Sequence, residues 1–303
     1  MKNKKNLLIV VSLFVLNLFL IGILINSNNK IAILEKTVDY TIKPLNLKVK
    51  SNIENNEKKI VFSIDDTIGI FKDLTDNSKK YDSIFDNRIL NYFKSLHDEY
   101  DFVVTFYVFY DFNHFLLSNT TDKFRNEFIE NSNWLKFGFH AYDSKSNYEF
   151  SSYDESKSEY DKVLKELVRI CGEESIDTFV RLHAFSGNID SINAMKSSEY
   201  GITGLYTADD SRQNYYLEQQ YNNLLLENDY IKKDELLWVH TDYRLEKIES
   251  FNDIITNLSD DDLLTVFTHE WLLEDSMILL KIKMFCDFAV INNYSFSFLD
   301  SVE

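Results

Sequence analysis

From residue 58 onward the chain alternates two hydrophobic rhythms. Short runs rich in β-branched and aromatic residues read as strands at 60–64, 102–109, 135–139, 178–182, 201–206, 235–239, 263–268 and 294–298. Between them, apolar residues recur every three or four positions at 86–99, 154–171, 188–198, 245–258 and 275–291, the spacing of amphipathic helices. Strand then helix, repeated over about 245 residues, predicts a parallel sheet closed into a β/α barrel rather than an open doubly wound sheet. No GxGxxG or Walker loop follows the first strand. The stretch 213–234, rich in Tyr, Asn and Leu, reads as an irregular insertion.

The first 57 residues have a different pattern. Lys2, Lys4 and Lys5 precede an apolar run, 7–25, broken only by Ser12, Asn17 and Gly22. At about 1.5 Å per residue that run matches the thickness of one bilayer core. Residues 26–29 offer no small-x-small cleavage site, so an uncleaved membrane anchor is expected over 1–27, with its basic end in the cytoplasm and the remainder extracytoplasmic. Residues 28–57 are polar and lack sustained periodicity, which predicts a stalk; 58–303 is then the folded domain.

Composition narrows the partners. The chain of 303 residues holds 32 Lys and Arg against 49 Asp and Glu, and a net charge of −17 opposes binding to a phosphate backbone, so no nucleic-acid partner is expected. Two cysteines, Cys171 and Cys286, without CxxC spacing, exclude a disulfide framework and a cysteine-rich zinc site. They fall on predicted helices as core residues. Aromatic residues make up 15% of the chain, enough to furnish stacking surfaces for a ligand. Nothing in the sequence fixes an oligomeric state.

In a β/α barrel the carboxyl ends of the strands converge on one mouth. Asp65 and Asp66 end the first predicted strand, His140 the third, His183 the fourth, Asp209 and Asp210 the fifth, His240 and Asp242 the sixth, and His269 with Glu270 the seventh. Four of the six histidines therefore fall at strand ends. Imidazole and carboxylate donors in that arrangement suit zinc or a similar divalent ion and metal-assisted hydrolysis. Paired-carboxylate catalysis is the other chemistry these types support, with Asp65 or Asp66 acting with Asp210 or Glu270.

In order along the chain, "VFSIDDT", "GFHAYDS", "VRLHAFSGN", "YTADDSR" and "VFTHEW" resemble the motifs of the polysaccharide deacetylase superfamily of carbohydrate esterases. The resemblance runs from Lys58 to Trp271 and implies a distorted parallel (β/α) barrel of seven to eight strands. It implies a divalent metal, Asp65 as general base, Asp66 and His140 as metal ligands, Arg181 as the residue that orients the base, and His269 as general acid. The family's second motif histidine is absent: Ser144 occupies its position, and Asp143 is the nearest residue able to ligate. His183 stands where the family's third motif has proline. Asp143 and His183 are thus both open as third ligand.

By this resemblance the expected activity is removal of N-acetyl or O-acetyl groups from a cell-surface or cell-wall carbohydrate. Tyr107, Tyr110, Asp209, Asp210, Glu270 and Trp271 are the candidate contacts to the acetylated glycan. A two-carboxylate glycoside hydrolase and an inactive sugar-binding descendant are the alternatives.

Overall fold

The computed structural model describes residues 58–212, 214–249 and 263–299. The expected anchor and stalk, 1–27 and 28–57, lie outside the described residues. Among the described residues no helix is long and apolar enough to cross a membrane.

The chain opens with β1 (Lys58–Thr67), α1 (Gly69–Asp76), α2 (Arg88–Tyr100), β2 (Val104–Phe112) and the two-residue β3 (Phe115–Leu116). It continues through α3 (Arg125–Glu130), β4 (Leu135–Asp143), α4 (Tyr153–Cys171), β5 (Phe179–Val180), α5 (Ile189–Lys196) and β6 (Gly204–Tyr206). The last part holds α6 (Gln219–Glu227), β7 (Tyr230–Lys233), β8 (Leu236–Val239), β9 (Tyr243–Arg244), β10 (Leu263–His269), α7 (Ser276–Ile291) and β11 (Tyr294–Phe296).

The strands form a seven-stranded and a four-stranded sheet, mostly parallel. β10, β1, β2 and β4 pair in that order, while β5, β6 and β8 pair in the other sheet. Two seams turn the sheets into a distorted barrel. At one, β4 meets the lead into β5 through the single bridge Phe137↔Ile176, with the Asp177 amide donating to the Phe137 carbonyl at 2.9 Å. At the other, one chain segment serves both sheets: β8 pairs with β6, and its continuation β9 pairs with β10. The ring therefore has seven members. The eighth predicted strand is present as β11 but shares an edge of β1 with β2, pairing with Lys58 to Ile60 below the contact with β2.

Alternation along the strands divides the core. Inward-facing Val61, Tyr107, Phe179, Tyr206, Val239 and Leu263 fill the barrel with Leu299, while Ile60, Phe62 and Ile64 belong to the larger cluster. The helices cover that outer layer with Leu90, Phe93 and Leu96 of α2 and Tyr160, Val163, Leu164 and Leu167 of α4. Their starts are chemically marked: the Asn87 side chain accepts from the amides of Ile89 and Leu90, and that of Ser152 from Glu155.

Two expected elements differ. The stretch expected to be irregular over 213–234 holds, from residue 214 on, α6 and β7, and β7 forms a hairpin with β8 whose two-residue turn places Asp234 and Glu235 at positive φ (56° and 62°). Such a turn normally advertises itself with Asn-Gly or Asp-Gly, and the acidic pair here hides it. The helix expected at 245–258 begins instead as the single 3-10 turn Leu245–Lys247, after which Ile248 is extended; residues 250–262 lie outside the described set.

Candidate active site

The adjacent pair Asp65 and Asp66 poses a geometric problem, because successive strand residues face opposite sides of a sheet. Asp65 continues the inward series of Val61 and Ser63, opposite His269 on β10. The chain solves the problem by inserting one extra residue in β1 against β2 between Ile64 and Thr67, with Asp66 at φ 60°. This bulge turns Asp66 to the mouth, and aspartate tolerates the left-handed conformation better than most residues. The same device recurs on β4, where Val108 pairs with Phe139 but Phe109 pairs with Ala141, so His140 is the extra residue.

These turns bring Asp66, His140 and His183 together, each offering one donor atom, all within 4.8 Å of one another. His140 Nε2 lies 3.1 Å from Asp66 Oδ1 and 3.3 Å from His183 Nδ1. His140 Nδ1 donates to the Arg181 carbonyl at 2.6 Å, which fixes the tautomer and leaves Nε2 with its lone pair facing the cluster. Burial pushes the Asp66 carboxyl up, but when the His140 ring takes up a second proton at Nε2 its hydrogen bond and charge outweigh burial and bring the pKa to about 2. Burial, followed by neighbouring His140, lowers His183 and favours the neutral imidazole that ligates a cation. The third donor is thus His183. Asp143, the other candidate, is not in this cluster; its Oδ1 accepts from the Lys145 amide at 2.8 Å and the Ser146 hydroxyl at 3.2 Å, closing its own loop.

Asp65 is buried beside the triad, and burial raises its pKa while Arg181 opposes the rise. Arg181 Nε approaches Asp65 Oδ1 to 3.3 Å as an ion pair without hydrogen-bond alignment. The guanidinium is held by Thr241 Oγ1 at 2.6 Å and Ser63 Oγ at 3.3 Å, and lies 4.4 Å from the ring centroids of both Tyr206 and Phe267. A planar cation sandwiched this way has little freedom, so the carboxylate beside it is held in place.

On the other side, His269 Nδ1 donates to Glu246 Oε1 at 2.8 Å, and Thr268 Oγ1 donates to Glu246 Oε2 at 2.9 Å. Burial lowers the His269 pKa, yet the hydrogen bond to Glu246 and the charges of Asp65, Glu246 and Asp66 raise it on balance. Glu246 escaped the sequence reading because it falls within the helix expected at 245–258. No motif there points to a partner for His269.

The remaining candidates separate. Tyr107 is fully buried in the barrel interior, its ring packed where a Cβ on Gly138 would lie 2.7 Å away, so it does not stack on a ligand. Tyr110 is 5% exposed and stacked on Tyr142 at 5.0 Å, with Lys162 over its ring. Asp209 is enclosed by Arg244 at 2.7 Å and Lys247 at 3.0 Å, and Asp210 is paired with Arg212 at 2.7 Å. Glu270 is buried and structural: Oε2 accepts from the amides of Ile68 (2.9 Å) and Gly69 (2.6 Å), and Oε1 from Ile70 (2.8 Å). That commits both carboxylate oxygens to the start of α1 and removes Glu270 as a hydrolase carboxylate. Trp271 alone stands at the mouth with an open face, 61% exposed, its Nε1 donating to Asp66 Oδ2 at 3.2 Å and its ring 5.6 Å from His269.

No protein-family model matches the chain. No curated protein matches it by sequence either. Among solved structures, one assigned as a polysaccharide deacetylase from Mycobacterium smegmatis matches over 83% of this chain and 91% of its own, with a TM-score of 0.52 and 10% identity. The chain has the polysaccharide deacetylase fold. The catalytic domain of a peptidoglycan N-acetylglucosamine deacetylase from Eubacterium rectale also matches, over 80% of this chain and 89% of its own, at a TM-score of 0.42 and 12% identity. The fold relationship agrees with the motif order in the sequence; the chemistry rests on the residues at the mouth.

Proposed function

We propose that the protein is a metal-dependent deacetylase that removes N-acetyl or O-acetyl groups from a carbohydrate. The observation that carries this reading is the convergence of Asp66, His140 and His183 beside a buried Asp65 and a Glu246-held His269. Two imidazoles and one carboxylate are the donor set of catalytic zinc and related divalent ions, and the fixed His140 tautomer points its free nitrogen at the other donors, so the residues fit such a group. When bound, a divalent ion supplies a Lewis acid that polarises a carbonyl and makes a water acidic near neutral pH.

The protein groups supply the proton movements. Asp65, held by Arg181, accepts the proton of the attacking water. His269, with Nδ1 committed to Glu246, presents Nε2 to return a proton to the departing sugar amine or hydroxyl. The products are acetate and a deacetylated sugar. The run 7–25 with its preceding lysines supports a membrane-tethered, extracytoplasmic site, where cell-surface or cell-wall glycan is at hand.

The test is metal content of purified protein after dialysis against trace divalent ions, alongside acetate release from acetylated oligosaccharides. Near one equivalent of metal with acetate release is the expected result. Retention of metal by both Asp66→Ala and His140→Ala would exclude the site; metal-loaded protein without acetate release would favour an inactive sugar-binding protein.

A further inference from the structure

The third donor, His183, stands on a stretch of backbone that does not hold its own shape. Ala184 and Phe185, the residues that follow it, both have positive φ, 59° and 55°. Neither is Gly, Asn or Asp, so such a path persists only where the surroundings impose it. Within the turn the Phe185 amide donates to the Leu182 carbonyl at 2.9 Å, and from across the mouth the Tyr215 amide donates to the Phe185 carbonyl at 3.0 Å. The rest of the restraint comes from another loop.

That loop is 144–152, between β4 and α4. The Ser186 hydroxyl donates to Asn147 Oδ1 at 2.9 Å, and the Asn188 amide to the Tyr148 carbonyl at 2.9 Å. The side-chain amide of Asn188 donates to the carbonyls of Glu149 and Ser151, at 2.9 Å each, while its Oδ1 accepts from the Ser191 amide at 2.8 Å and caps α5. One side chain therefore starts the helix behind His183 and ties the His183 loop to its neighbour. The neighbour is itself fixed: Tyr148 is buried, and its hydroxyl donates to Glu159 Oε2 of α4 at 2.8 Å and accepts from the Tyr142 amide at 3.0 Å. It is also the loop on which Ser144 stands in place of a ligating histidine.

We propose that Asn188 is a positioning residue for the triad: it clamps the loop that carries His183 onto the loop after β4, so that the segment without a ligand of its own holds the replacement ligand beside Asp66 and His140. The proposal rests on the deacetylase reading in taking these three side chains as ligands of a divalent ion. Such a clamp acts on metal affinity, because a donor that must first be ordered subtracts that cost from binding. The experiment measures the zinc affinity of the full-length protein by competition with a chromogenic chelator, and amide exchange across residues 183–188 in the metal-free protein. Acetate release is followed in parallel.

Asn188→Ser keeps an oxygen to cap α5 but removes both side-chain donors; it should weaken zinc binding about tenfold and speed exchange across 183–188. Ser186→Ala leaves the cap untouched and should weaken zinc binding about threefold, which tests the clamp even where Asn188→Ser fails to fold. Asp275→Ala, which removes the cap of a different helix, α7, should lower Tm and change neither quantity. If either loop variant leaves zinc affinity or local exchange unchanged, the proposal is overturned, since loop and ligand are then not coupled through these bonds. An equal loss of affinity in Asp275→Ala overturns it too, by marking a general effect of stability. Zinc binding without acetate release removes the activity, and the clamp then stands or falls on the same two quantities. Wild-type protein that takes up no zinc removes the deacetylase reading and the proposal with it.

Discussion

His183 carries the departure of this chain from the motifs it resembles. A ligand expected four residues after His140, where Ser144 stands, is supplied from the loop after β5, and the two imidazoles meet across 3.3 Å. His183→Ala should therefore abolish uptake of a divalent ion, whereas Asp143→Ala should retain it, as read by metal content after dialysis. Asp65→Ala should keep the metal and lower turnover by roughly a thousandfold, the usual worth of a general base. The pair His269 and Glu246 gives a pH-dependent outcome. The groups facing His269 are Glu246, Asp65 and Asp66, all acidic, and together they raise its pKa against burial. A general acid must be protonated, so activity should fall as pH rises through that raised pKa. Glu246→Gln removes the leading upward influence and should move the alkaline limb of the pH–rate profile to lower pH; an unmoved limb would remove His269 as the acid. The residue types were legible in the sequence because each lies at a strand end, but the choice between Asp143 and His183 was not. It depends on the loop after β5, where Ala184 and Phe185 both adopt positive φ (59° and 55°), a path that no spacing rule encodes.

At the scale of elements, two bulges and one helix start assemble the mouth. Strand positions were readable from alternation, and all eight predicted runs contain a strand. The bulges at Asp66 and His140 were not, since a bulge shifts the face of one residue without altering the hydrophobic pattern around it. Nor was the role of Glu270, which sits between His269 and Trp271 and looks like a third site residue in sequence. Its carboxylate instead receives the first three amides at the start of α1, where the helix presents unpaired donors and partial positive charge. Gly69 permits the approach: a Cβ there would lie 3.0 Å from Glu270 Oε2. Burial raises the pKa of this carboxyl and the three backbone donors oppose the rise. Glu270→Gln sets an amide donor against backbone donors. It should cost about 2 kcal/mol of stability, roughly 6 °C in Tm, and loosen the link between β10 and α1 that holds His269 and Trp271 beside Asp66. Thermal unfolding measures the first effect; an unchanged Tm would show that the carboxylate is not needed to cap α1.

For the whole barrel, the weak place and the chemical place coincide. β1 with β10 and β2 with β4 are joined by long ladders, while β4 and β5 are joined by one bridge, Phe137↔Ile176, and by the Asp177 amide on the Phe137 carbonyl. His140 lies on β4 and His183 just beyond β5, so the triad spans this seam, and the hydrogen bond from His140 to the Arg181 carbonyl is already a stitch across it. The barrel and its mouth were legible from strand and helix alternation, but the seam was not, because Phe179–Val180 is a two-residue strand inside the longer run expected at 178–182. A divalent ion that binds the folded triad and not the unfolded chain should stabilise the protein by about 2.7 kcal/mol at a hundred times its dissociation constant. In Tm that is roughly 5–10 °C for a domain of this size. If the ion clasps the seam, amide exchange should slow most in residues 137–140 and 177–183 and little in the long ladder of β1 with β10. His183→Ala should cancel both the rise in Tm and the local protection. A uniform protection of all strands would instead mean that the ion stabilises the barrel globally, and that the seam opens no more readily than the rest.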